Sequence, residues 1–293
     1  MRIGIHVPQW GPDANREGVM AVARAADDAG LDSVWVADHV VYPRAGADAY
    51  PFRDDGPPFA ASAGFLEAFT TLALAAGATE RVALGTSVLV LPMREPLQLA
   101  KAVATLDVLS AGRIVIGAGV GWWAEEFRAL GAPFAERGRR MDEQVAILRA
   151  LWRDGLLAHD GEFFAFEEVV CEPRPVQPGG PPILIGGMGA AARRRAGRIG
   201  DGWHALGSHA QTLADGFDEV RRSAYDSGRD EEQVTLSTSI ALPPDPDHAI
   251  RRLARLADLG VAHVVLSVPE NTADAICRSI DQLHAAVLPE VRG

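Results

Sequence analysis

Cysteine is almost missing from this chain: Cys171 and Cys277 are the only two among 293 residues, far apart and in no metal-ligand spacing. That excludes a disulfide framework and a cysteine-rich zinc site, and it fits a reducing cytoplasm. Positive charge is also scarce, with 28 basic residues against 39 acids and a formal charge of -11. Partnership with nucleic acid or an anionic membrane is therefore not expected, and an anionic ligand must find a local exception. No apolar run approaches the roughly 18 residues of a membrane span. The opening "MRIGIHVPQW" passes directly into strand-like sequence, without the pattern of a secretory signal.

What the chain does have is material for a core, 48% hydrophobic against 23% charged residues, the balance of a soluble globular protein. Short β-rich runs alternate with amphipathic stretches. The periodicity predicts strands at 2–8, 33–40, 81–92, 113–121, 181–189, 201–207, 234–242 and 263–270. Helices are predicted over 16–30, 65–79, 96–109, 137–153, 190–199, 210–227, 247–259 and 272–286. Eight strand–helix units with right-handed crossovers close into a (β/α)8 barrel more naturally than into an open doubly wound sheet. We expect one barrel domain over 1–293, with a long loop at 42–64 after the second strand and a hairpin around a DG turn at 156–178, before the fifth strand.

A barrel of this kind carries its site at the C-terminal ends of the strands. Those ends deliver His6, Gln9 and Trp10; Asp38 and His39; Thr86 and Ser87; Gly117 to Trp123; Gly186 to Gly189; and Trp203 with His204. The run "SVWVADHV" (33–40) is the most telling, because an acid and an imidazole closing an apolar strand are costly unless a site receives them. Strand alternation lets both face that site only if regular pairing stops near Asp38. The glycines of "GAGVGWW" (117–123) suit close approach of a flat ring or a diphosphate. "IGGMGAAARRR" (185–195) presents amide donors at a helix start, where an anion is welcome, and Arg193, Arg194, Arg195 and Arg198 follow as either a basic face for an anionic tail or a solvated helix surface.

Together "SVWVADHV", "RVALGTSVLVLP" (81–92), residues 101–143, "CEPRPVQPGGPPILIGGMG" (171–189) and "RRAGRIGDGW" (194–203) resemble the bacterial luciferase-like superfamily, and within it the actinobacterial F420-dependent oxidoreductases. The resemblance implies a (β/α)8 barrel holding coenzyme F420, or alternatively FMN, at its mouth in a cytoplasmic homodimer that acts on a small molecule. It implies His39 as the proton-transfer residue with Asp38 steadying the ring. It also implies a non-prolyl cis peptide within Thr86-Ser87-Val88, and a cofactor cradle completed by Gly119, Val120, Gly121, Gly186, Gly187 and Met188. Where the sugar-phosphate-oxidising relatives carry a Glu after the fourth strand, this chain has Trp122 or Trp123, which makes glucose-6-phosphate an unexpected substrate. Glu125 or Glu126 could stand in for that acid, but at the start of the helix after the fourth strand both read first as first-turn helix acids. His6, Trp10, Trp122, Trp123 and Trp203, with Phe52, suggest an apolar or planar substrate. Alternatives are an FMN-dependent monooxygenase, a non-catalytic ligand-binding barrel, and a metal hydrolase using His6, His39 and His204; no metal site is expected.

Overall fold

Parallel strands buried on both faces read as unbroken apolar runs, and this is how the runs are used. The computed structural model describes residues 1–44, 50, 56–207 and 209–292. In chain order the strands are β1 (Arg2–His6), β2 (Ser33–Val36), β3 (Ala83–Val90), β4 (Ile114–Gly119), β5 (Leu156–Asp160), β6 (Ala165–Val170), β7 (Ile183–Gly186), β8 (Gly202–Leu206), β9 (Thr235–Ala241) and β10 (Val261–Ser267). All but β5 and β6 form a closed parallel barrel in the order β1-β10-β9-β8-β7-β4-β3-β2. β5 and β6 are the expected hairpin, paired antiparallel outside the barrel.

The helices are α1 (Arg16–Asp28), α2 (Ala68–Ala78), α3 (Pro96–Leu109), α4 (Ala124–Ala129), α5 (Arg137–Asp154), α6 (Ala190–Ile199), α7 (Ala210–Asp226), α8 (Pro246–Asp258), α9 (Ala273–Gln282) and α10 (Leu288–Arg292). Their starts are set by side chains that satisfy free amides: Asn15 accepts from the Gly18 N–H, and Asp245 accepts from the His248 N–H, with Pro246 at the first helical position. α5 stops at Gly155, whose φ of 75° lies in the left-handed region that glycine adopts freely. Two helices were not separately expected: α4 is one short turn-and-a-half after β4, and α10 follows a π-helical turn at Leu283–Val287. Phe52 and most of the 45–55 stretch of the expected loop lie outside the described residues.

The barrel interior holds Trp35, fully buried, and two glycines make room for it. A Cβ on Gly85 would come within 2.4 Å of the indole, and one on Gly4 within 2.7 Å of its nitrogen. Ser33 accepts the indole N–H at 2.7 Å and meets His263 Nε2 at 2.7 Å. His204 lies flat on Trp35, with ring centroids 5.4 Å apart. Its Nε2 is 2.8 Å from the Ser87 hydroxyl and its Nδ1 2.9 Å from that of Ser237. Burial pushes His204 and His263 each down to about 3, and His6 down to about 4. His204 and His263 are neutral at pH 7 and act as hydrogen-bonding filler, whereas His6 closes β1 at the mouth end and is only partly buried.

Candidate active site

β2 ends at Val36, so Ala37, Asp38 and His39 are released from the alternation of the strand. Gln9, fully buried, fastens this released segment: its side chain accepts the Ala37 N–H at 2.6 Å and donates to the carbonyls of Ala37 and Leu66 at 2.9 and 2.7 Å. Asp38 and His39 then diverge. The Asp38 carboxylate turns inward to the Arg94 guanidinium at 2.6 Å and the Val90 N–H at 2.9 Å. Burial pushes this carboxyl up, and Arg94 pulls against that shift. Asp38 therefore anchors the end of β3 to the loop after β2, and the expected bond from Asp38 to the imidazole is replaced by another.

That partner is Glu126. His39 Nδ1 lies 2.9 Å from Glu126 Oε2, while Oε1 accepts from the Val40 and Val41 N–H groups at 2.7 and 3.3 Å. Glu126 does sit in the first turn of α4, as expected for a helix-start acid, but its side chain is only 2% exposed and is used across the barrel mouth. Three donors on one carboxylate account for its burial. Because the carboxylate accepts a hydrogen bond from Nδ1–H, Nε2 is the nitrogen left to exchange a proton. It has no hydrogen-bond partner among the described residues.

Aromatic rings wall the imidazole. Phe59, Phe65, Trp123 and Trp122 have ring centroids 5.1, 5.5, 5.8 and 6.0 Å from it. Trp10 stacks on Phe65 at 5.7 Å, and Trp122 stacks on Trp123 at 4.6 Å. Beside this wall the Ser87-Val88 peptide is cis, which places the bond the family resemblance implied. The β3–β4 register shifts between Thr86 and Leu89, so Ser87 and Val88 bulge from the ladder, and both keep partial exposure. Thr86 is fully buried and donates to the Gly117 carbonyl at 2.8 Å.

A model of the family described as luciferase-like monooxygenase matches residues 2–286. The chain belongs to this family. It is 33% identical over 246 residues to an uncharacterised protein of Mycobacterium tuberculosis, covering 84% of this chain and 83% of that one. It is 33% identical over 240 residues to the F420-dependent glucose-6-phosphate dehydrogenase of Beutenbergia cavernae, covering 79% of this chain and 65% of the relative. Among solved structures, an F420-dependent secondary alcohol dehydrogenase in complex with an F420-acetone adduct superposes with a TM-score of 0.81 at 20% identity, covering 100% of this chain and 99% of that chain. Like these relatives, the chain is an enzyme.

Within this luciferase-like barrel the glycines make room for close packing. A Cβ on Gly119 or Gly186 would come within 2.6 Å of the Val88 side chain, one on Gly117 within 2.0 Å of the Thr86 carbonyl, and one on Gly121 within 2.7 Å of Phe127 and Val90. They seat the β3 bulge and the Phe127 ring. Gly187 takes a φ of 118°, and Gly189, the N-cap of α6, would meet nothing with a Cβ. Val120 packs on the core, and the Met188 sulfur accepts the Leu206 N–H at 3.3 Å.

Two sequence expectations fail. Trp203 is fully buried and donates to the Gly187 carbonyl at 2.7 Å, with Gly216 of α7 against its ring. Strand alternation turns it outward to the helices because its neighbour His204 points inward, so it does not line the mouth. The arginine run of α6 is not a free basic face: Arg193 and Arg194 pair with Glu219, and Arg195 and Arg198 with Asp142, with Arg194 and Arg198 on the solvated helix surface that was the other reading and Arg193 and Arg195 mostly buried. His204 feels the charge of His6, but among the described residues no three His, Cys, Asp or Glu side chains are grouped so as to hold a metal ion, and His39 is held by Glu126 instead.

Proposed function

We propose that this chain is an F420-dependent oxidoreductase that moves a hydride between coenzyme F420 and an organic, apolar or planar substrate. The observation that carries the reading is an imidazole fixed by a buried carboxylate on one nitrogen, with the other facing an aromatic-walled barrel mouth. The residues fit a flat ring: Val88 stands proud of β3 on a seat kept clear by Gly119 and Gly186, at the end of the barrel where the aromatic side chains around His39 offer π faces. When bound, F420 supplies a carbon that gives or takes a hydride. Ser87 and Val88 would back the ring, Gly187 to Gly189 would meet its anionic side, and Trp10 and Trp122 would hold an apolar substrate. His39 gives or takes the accompanying proton at Nε2, while Glu126 fixes the ring plane and offsets the charge of the imidazolium. The names of the Beutenbergia cavernae relative and of the alcohol dehydrogenase support the choice of F420. A homodimer in the cytoplasm, implied by the family resemblance, belongs to the same proposal.

The test is turnover by purified protein with a panel of alcohols, ketones and enones. We expect oxygen-independent change in the visible absorbance of F420. Turnover only with reduced FMN and oxygen would overturn the reading in favour of a flavin monooxygenase.

A further inference from the structure

The arginines of α6 are consumed by ion pairs, but another set is not. α8 carries His248, Arg251, Arg252 and Arg255 at the i, i+3, i+4, i+7 spacing of one helix face, while Ala249, Leu253 and Leu256 pack into the core. The basic face borders a cavity of about 610 Å³, whose other wall is Gly207, His209 and Ala210 beyond β8, with Ile240 and Ala241 at the end of β9. Among the described residues no carboxylate lines it. None of the three arginines has an ion-pair or hydrogen-bond partner among the described residues.

In a protein with 39 acids and 28 bases, three unpaired guanidinium groups around one cavity stand out. Held together without a counter-charge they repel one another, and an anion relieves that repulsion. The cavity opens where β8 and β9 end, which in a parallel barrel is the same end at which β2 delivers His39. In the ring of strands β8 lies next to β7, whose following loop holds Gly187 to Gly189.

We propose that this arginine-lined cavity binds the flexible oligocarboxylate tail of F420, outside the ring site; the inference rests on the F420 reading above. Guanidinium forks suit several carboxylates arranged along a chain, because each can be engaged in turn without a fixed register. The cavity thus selects tailed over tail-free cofactor and contributes nothing to proton transfer.

The experiment measures binding of F420 carrying several glutamates and of the tail-free 8-hydroxy-5-deazaflavin chromophore, each titrated into wild type and into the R251Q/R252Q/R255Q variant at low and high salt. Wild type should prefer the tailed form by about tenfold at low salt, the sum of a few exposed ion pairs, with the preference shrinking as salt rises. The triple variant should lose that preference while binding the tail-free form as wild type does. Circular dichroism checks its fold, and the matching triple Lys variant should keep the preference. Equal affinity of wild type for both forms overturns the tail site and leaves the F420 reading standing. Binding of neither form overturns both. An unchanged preference in a folded triple variant also overturns the tail site.

Discussion

The barrel uses histidine in two opposite ways. In its floor His204 and His263 are enclosed with Trp35, bonded to serine hydroxyls and held neutral by burial, down to about 3. At its mouth His39 is bonded to a carboxylate on one side only and keeps its second nitrogen toward open aromatic walls. The difference lies in the partner and in access. A hydroxyl on each side makes an imidazole a spacer, whereas one carboxylate and one free nitrogen make it a proton carrier.

The strongest way to break this contrast is to exchange the two regions' losses. His39→Ala is expected to lower F420-dependent turnover by about 10²- to 10⁴-fold with little change in thermal stability. His263→Ala should do the reverse, costing about 2–3 kcal/mol in a denaturant titration by orphaning Ser33 and opening a void, with turnover of the folded fraction preserved. A turnover loss from the floor variant that matches the mouth variant would erase the distinction.

Glu126 sharpens it further. Glu126→Gln keeps a hydrogen bond to the loop but removes the charge facing the imidazolium, so turnover should fall by about 10- to 100-fold and the pH–rate profile should change shape. A uniform loss at every pH would indicate a purely structural role.

Acid should strike the floor first. His204 and His263 refuse protons in the folded state until pH about 3, while the unfolded chain takes them up below the ordinary value of 6.5. The unfolded state therefore binds more protons in that window, and stability falls as pH drops from 6.5 toward 3, by up to about 3 kcal/mol per unit where both contribute. Urea titrations at pH 7, 6 and 5 should show the fall, and His263→Ala should flatten it. The smallest effect is expected at the wall: Trp122→Ala should raise KM about three- to tenfold for an apolar substrate while kcat changes little.

Much of the fold was legible because a closed parallel barrel repeats one pattern, and that pattern survives in hydrophobic periodicity alone. The hairpin was legible in its Asp160-Gly161 turn. His39 was legible because an apolar strand has no other reason to end so. Glu126 was legible only as a second choice: acids in a helix's first turn normally serve the helix, and only its bonds to His39 and the loop after β2 single it out from Glu125. Arg94 was hidden by distance in sequence, 56 residues from the carboxylate it meets. Trp203 was misread on parity, since adjacent strand residues cannot both face the barrel axis, and the pairing of His204 with Ser87 decides which one does. The arginines of α6 and α8 look alike as letters, and only the positions of Glu219 and Asp142 separate paired from unpaired.

The central claim is tested most directly by NMR of isotopically labelled histidine rings as F420 is titrated into the protein, with the His39 signal assigned from His39→Gln. The account predicts a saturable shift of the His39 ring nitrogens while the signal of His263, bonded to Ser33, stays where it is. A His39 signal that F420 at saturation leaves unmoved would contradict it.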